Sequence, residues 1–206
     1  DIFRWTVTFF LIFGSVGIMM GHFINKTRFE RYVFAESAMK LAELQTRYAY
    51  YDQMTGLQNR RAYSEKAGQL SKKLPVPCTV VMADVNGLKE ANDTLGHEAG
   101  DELIIGSAEC LRKSFDGIDT VYRLGGDEFT VIMEKSETEA KRCLERMEKL
   151  CADWKGQFIS GVSISYGTSA SEEYSDIDSL LKAADQRMYE YKSDYYQKTG
   201  KERRKR

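Results

Sequence analysis

The chain has 206 residues, 42% hydrophobic and 30% charged, with 30 Lys and Arg against 31 Asp and Glu. This composition excludes a disordered protein and supplies enough chain for one sizeable domain plus an extension. Six Lys or Arg and one Glu from Lys198 onward leave a net charge of −6 on residues 1–197, and that acidic body argues against a nucleic-acid partner.

In chain order, residues 5–24 come first: twenty residues without a charge, with His22 as the one ionisable side chain. As a helix they span roughly 30 Å, a bilayer core. A signal peptide would show a shorter apolar centre and a small-residue cleavage site, and a buried core helix would show polar punctuation on one face. A transmembrane helix over residues 1–25 is therefore expected. Lys26, Arg28 and Arg31 follow it against Arg4 before it, which by the positive-inside rule places the rest of the chain in the cytoplasm, below a cell inner membrane. Gly17 and Gly21 form a G-x-x-x-G pair, a weak signal for helix pairing. Asp1 in place of Met reads as the cut end of a longer chain, with a sensor region expected upstream.

Residues 26–51 read as a helical stalk. From Phe29 there is no Gly or Pro, and Phe34, Leu41, Tyr48 and Ser37, Leu44, Tyr51 both recur every seven residues. That is a short a/d seam, suited to a parallel dimer. A single amphipathic helix lying on its own domain is the alternative.

Past Asp52 the pattern is mixed. Residues 78–84 (CTVVMAD) predict a buried strand ending in an acid, and residues 98–115 a helix with Leu103, Leu111 and Phe115 inside. Residues 120–124 and 129–133 are β-prone runs around Gly125-Gly126-Asp127-Glu128, a hairpin signature. Helix, strand and helix follow at 137–154, 158–167 and 177–195. In the first of these, Cys143 and Cys151 fall on the apolar stripe and read as core residues. Cys78 and Cys110 lie far away and no Cys-x-x-Cys pair exists, so neither zinc nor a disulfide framework is indicated, and a reducing compartment follows. The expected fold class is α/β of the α+β kind: a central, mostly antiparallel sheet flanked by helices, behind the transmembrane helix and stalk. Residues 52–198 form the domain, and 199–206 a solvated basic tail.

Asp84 at the strand end and Asp127 at the hairpin tip are the candidate metal carboxylates. Together they make an oxygen cage for a hard divalent ion, which would hold a triphosphate and stabilise phosphoryl-transfer charge. The segment after Asp84 is no EF-hand, because Lys89 stands at the required Gly and Leu95 at the bidentate Glu. Residues 88–101 gather Lys89, Asn92, Asp93, His97 and Asp101 around Gly96 and Gly100. A carboxylate accepting an N1–H and a 2-amino group suits guanine, and Lys89 suits a phosphate. The same residues suit a turn with a helix N-cap, and spacing alone does not choose.

Five segments in register resemble the GGDEF family of diguanylate cyclases: DQMTGLQNRR from Asp52, DVNGLKEAND from Asp84, GHEAGD from Gly96, RLGGDEF from Arg123 and ADQRMYEYK from Ala184. The resemblance covers about Tyr50 to Lys198. It implies a palm-like nucleotidyl-cyclase fold and the condensation of two GTP into cyclic di-GMP with release of two pyrophosphates. The catalyst would be a homodimer with Mg²⁺ or Mn²⁺, each domain holding one GTP. By motif position it implies Asp84, Asp127 and the Val85 carbonyl as metal ligands. Asp127 is then the proposed base for the 3′-hydroxyl and Glu128 its support. Asn92 and Asp101 fall on the guanine positions, and Gly87, Leu88, Lys89 and Lys192 on the phosphate positions.

Three departures accompany the match. Asn86 stands for the second acid of Asp-x-Asp, which mildly lowers the charge of the metal site. Tyr196 stands for a basic residue four places after Lys192. Asp116, with Asp119 after it, begins the segment where an Arg-x-x-Asp product-inhibition motif is expected, so that site lacks its Arg and weak product inhibition is expected. The competing readings are a catalytically inactive module that binds GTP or cyclic di-GMP as a receptor, and a signalling scaffold.

Overall fold

The structure is a computed structural model that describes residues 2–115 and 121–199. The chain divides into two compact units, Asp1–Arg47 and Tyr48–Arg206.

The first unit consists of most of helix α1 (Ile2–Tyr50), none of whose residues is buried. Its stalk portion carries i,i+4 ion pairs, Lys40 to Glu36 at 2.8 Å and Lys26 to Glu30 at 4.0 Å, which support a solvated helix by a few tenths of a kcal/mol each. Among the described residues this is the one helix long and apolar enough to cross a membrane.

The second unit is built on four antiparallel strands in the order β2-β3-β1-β4. They are β1 (Thr79–Val85), β2 (Val121–Gly125), β3 (Glu128–Met133) and β4 (Ile164–Ala170). Side-chain alternation divides the core. Val81, Ala83, Val85, Phe129 and Val131 face helices α3 (Leu88–Leu95), α4 (His97–Ser114) and α5 (Glu137–Asp153). Val80, Met82 and Ile132 face α2 (Arg60–Leu70) and α6 (Ile177–Thr199). Asp84 keeps the parity of Val80 and Met82, so it emerges at the strand end on the α6 side.

The expected central antiparallel sheet and the hairpin are present, and three details differ. Residues 60–70 and 88–95 are helices where none was expected. The first has a readable start, since the Asn59 side chain accepts from the Arg61 and Ala62 N–H groups. The strand expected over 158–167 begins only at Ile164, because Lys155 bridges Ser160 and Gly161 turns at φ 74° before the chain joins β1. The helix expected to end at Tyr195 continues to Thr199.

Candidate active site

Strand register assembles the acids. Asp84 is the cross-strand partner of Glu128, and the Val85 N–H donates to the Asp127 carbonyl at 3.0 Å. Directly opposed residues share a face, so Asp84 and Glu128 leave the sheet on the same side, with Asp127 one residue away on the turn. Gly126 takes φ 54° there, a conformation costly for any side chain.

Asp84 is 3% exposed. Burial pushes its carboxyl up to about 6; the Lys192 ammonium opposes the shift, and the charges of Asp127 and Glu128 add to it. Lys192 forms an ion pair with Asp84. It can do so because α6 lies directly on β4: a Cβ at Gly167 would sit 2.2 Å from the Met188 backbone N and 2.3 Å from the Ala184 O. Glycine at 167 is thus what allows Lys192 to reach the acid.

A divalent ion fits this donor set. Two carboxylates and a backbone carbonyl are hard oxygen donors, and one of the acids is buried near like charges that a divalent cation would offset. Among the described residues no group of three or more His, Cys, Asp or Glu side chains is placed to hold a metal ion.

Helices α3 and α4 carry the residues expected at a base. Asn92 on α3 lies over Gly100 on α4, where a Cβ would come within 1.9 Å of the Asn92 Oδ1. Asp101 follows Gly100 on α4 and is exposed, and Lys89, one turn before Asn92 on α3, is exposed as well. Residues 88–101 are therefore two helices joined at Gly96, whose φ is 91°, and not an extended turn. Leu88 sends its side chain to the core, leaving its backbone at the first turn of α3. Gly87, the N-cap of that helix, donates its N–H to the Tyr196 hydroxyl at 3.5 Å.

Asn86 corrects an expectation. Its amide bonds Ser163 Oγ at 3.0 Å and Ser165 Oγ at 2.9 Å, so it points into the β4 edge and not among the carboxylates. Asp116 and Asp119, the altered product-inhibition segment, lie outside the described residues.

Sequence reasoning missed Arg123 and Asp52 as a pair. Arg123, 8% exposed, donates to the Gly126 carbonyl at 2.9 Å through one terminal nitrogen and to Asp52 Oδ1 at 2.9 Å through the other. Burial raises the Asp52 carboxyl, but hydrogen bonds from Thr55 and Arg123 outweigh it and hold the group below its usual range. The guanidinium thereby ties the segment after α1 to the hairpin that carries Asp127. Both residues stood in quoted motifs; their 71-residue separation concealed the contact.

Residues 49–198 match the profile of the family described as "Diguanylate cyclase, GGDEF domain". The chain belongs to the GGDEF family. Among curated relatives, response regulator PleD of Caulobacter vibrioides is 32% identical over 178 residues, 82% of this chain and 39% of that protein. Diguanylate cyclase DgcS of Shewanella oneidensis is 29% identical over 160 residues, 76% of this chain and 54% of that protein. The GGDEF chain thus spans less than two thirds of either relative. Among solved structures, the coiled coil and GGDEF domain of DgcB from Caulobacter crescentus, in complex with c-di-GMP, has a TM-score of 0.67. At 19% identity, over 80% of this chain and 92% of that one, it shares the fold. The S helix-GGDEF-EAL region of Vibrio cholerae LapD, bound to c-di-GMP, has a TM-score of 0.63 at 28% identity, over 77% of this chain and 38% of that one.

Proposed function

We propose that this GGDEF chain is a diguanylate cyclase: it condenses two GTP into cyclic di-GMP with release of two pyrophosphates, as a membrane-tethered homodimer whose catalytic domain faces the cytoplasm. The observation that carries this reading is the pairing of Asp84 with Glu128, with Asp127 beside them on the hairpin turn. A receptor could dispense with such a concentration of acid, whereas phosphoryl transfer needs it to hold a cation.

Asp84, Asp127 and the Val85 carbonyl hold a divalent ion, with Mg²⁺ favoured and Mn²⁺ accepted. When bound, this ion supplies charge stabilisation to the α-phosphate and to the departing pyrophosphate. Asn92 and Asp101 take the guanine edge, with Asp101 accepting its two adjacent N–H donors. The Leu88 N–H and Lys89 bind the phosphates, joined by the Gly87 N–H as it leaves its 3.5 Å bond to the Tyr196 hydroxyl. Lys192, now on Asp84, is free to turn to the phosphates once another cation neutralises the acid. Asp127 accepts the 3′-hydroxyl proton as that oxygen bonds to the partner's α-phosphorus and the P–O bond to pyrophosphate breaks. Glu128 supports Asp127 and the cation.

Each domain holds a single GTP, so nucleophile and electrophile come from two chains, and the heptad seam of α1 supports that pairing. The apolar, wholly exposed residues 5–24 support the membrane tether. The test is incubation of the purified full chain with GTP and Mg²⁺, with the product identified by mass. Cyclic di-GMP supports the cyclase reading. Nucleotide binding without product makes the chain a receptor, and neither leaves a scaffold.

A further inference from the structure

The turn that leaves β1 must aim several groups at once, and its own sequence does little to hold it. Gly87 adopts φ 78°, and as N-cap of α3 it offers no side-chain cap. The restraint comes from the side: the Tyr196 hydroxyl takes the Gly87 N–H at a long 3.5 Å, and Asn86 makes the shorter bonds. Asn86, 4% exposed, donates its backbone N–H to the Ser163 carbonyl at 2.8 Å and its amide N–H to Ser163 Oγ at 3.0 Å. Its amide oxygen accepts the fully buried Ser165 hydroxyl at 2.9 Å. One residue is thereby tied at three points to the start of β4.

An amide suits this place because it is donor and acceptor together, meeting one hydroxyl of each sense. A carboxylate would need both serines to donate. It would also bury a negative charge, since the position is 4% exposed. An apolar side chain would leave the buried Ser165 hydroxyl without this partner. Behind the turn lies a cavity of about 380 Å³ lined by Glu90, Thr94, Leu103, Ile159 and Tyr195. It gives an unrestrained turn space to move into, and it lies on the opposite side of α3 from Asn92, since residues 90 and 94 are half a helical turn from 92.

We propose that Asn86 is a positioning residue for nucleotide binding: clamped between Ser163 and Ser165, it holds residues 85–88 so that the Gly87 and Leu88 N–H groups and the Val85 carbonyl converge on one metal-bound triphosphate. This rests on the cyclase reading and deepens it. Asn86 touches no reacting atom and acts through the backbone on either side of it.

The test uses the full chain in detergent micelles, with GTP binding measured directly by equilibrium dialysis in Mg²⁺ beside KM, kcat and melting temperature. Asn86→Ala is expected to weaken GTP binding about tenfold and raise KM with it, while kcat stays within about threefold. Ser163→Ala should move binding the same way. Ser163→Thr, which keeps the hydroxyl at a half-exposed position, should restore it, so the proposal survives a failure of Asn86→Ala to fold. The double variant Asn86→Ala/Ser163→Ala should bind no worse than Asn86→Ala alone, because the Asn86–Ser163 side-chain contact is already lost in the single variant. GTP binding within twofold of the parent in Asn86→Ala, or lower melting temperatures in every variant with binding unchanged, would overturn the proposal. A parent chain that binds GTP without making product removes the cyclase reading and leaves the clamp to be judged on binding. A parent that binds no GTP removes both.

Discussion

Residues 2–47 and the domain that begins at Tyr48 solve the burial of apolar side chains in opposite ways. The first unit carries Phe3, Trp5, Phe9, Phe10, Leu11 and Phe13 in one helix and leaves all of them exposed. The second encloses Leu57, Val81, Leu111, Val131 and Phe129 without solvent contact. Both satisfy their backbone by hydrogen bonding, but only the second has an apolar interior of its own. At about 25 cal/mol per Å², the apolar surface of residues 5–24 is a large free energy that an external phase must release. The domain thus holds its stability in its own core, whereas the helix has no apolar interior to stabilise it.

That contrast predicts costly single changes in the domain and inexpensive ones in the helix. The largest effect is expected from Asp127→Asn, which keeps size and one acceptor but cannot take a proton. Cyclic di-GMP formation should fall by about two orders of magnitude or more, roughly 3 kcal/mol of barrier, with the melting temperature held. A rate within tenfold of the parent would move the active site elsewhere.

Next comes Arg123→Met. It leaves Asp52 partly buried without its cation and the Gly126 carbonyl without its donor. Stability should drop by about 3 kcal/mol in chemical denaturation, and GTP turnover with it, because the hairpin is held from this side. A loss below about 1 kcal/mol would show that the hairpin holds itself.

A titration sharpens the electrostatic part. The Asp84 carboxyl ionises at about 6 in the fold against 3.8 in the unfolded chain, so between these values the folded state binds more protons. Metal-free protein should therefore lose stability as pH rises from about 4 to 6 and level off above, by up to about 3 kcal/mol, and Asp84→Asn should remove that slope. Mg²⁺ with GTP should flatten it in the parent. An unchanged slope in Asp84→Asn would assign the titration to other groups.

The smallest effect on the domain is expected from Ile18→Arg at the middle of the apolar helix. Domain melting should move by less than about 0.5 kcal/mol, while recovery in the membrane fraction should fall, since Arg costs about 3 kcal/mol at a bilayer centre. If the variant partitions like the parent, lipid is not what covers residues 5–24.

The elements most legible in the sequence were those whose signal is local. The strand ending in Asp84, the hairpin around Gly125 and Gly126 and the apolar helix follow from periodicity and turn chemistry within a few residues. The two short helices were less so. Residues 88–95 place Leu88, Ala91 and Leu95 at helical spacing, but over two turns only, and Asn92 and Asp93 between the flanking Gly87 and Gly96 matched a turn equally well. The late start of β4 was hidden because residues 158–163 are as apolar as a strand, while their backbone pairs locally and with Asn86.

The sequence by itself determined the kinds of group present: two carboxylates for a cation, amides and acids for a base edge, a twenty-residue apolar span and a family motif set. Tertiary structure decided which of them meet. It placed Glu128 opposite Asp84 by strand register, and brought Lys192 to the same acid because Gly167 lets α6 lie against β4. It turned Asn86 away from the carboxylates and onto Ser163 and Ser165, and joined Arg123 to Asp52. Each of these contacts spans many residues of chain. Its geometry is set by how the sheet pairs and how closely the helices pack, and neither quantity is written in any local stretch of sequence.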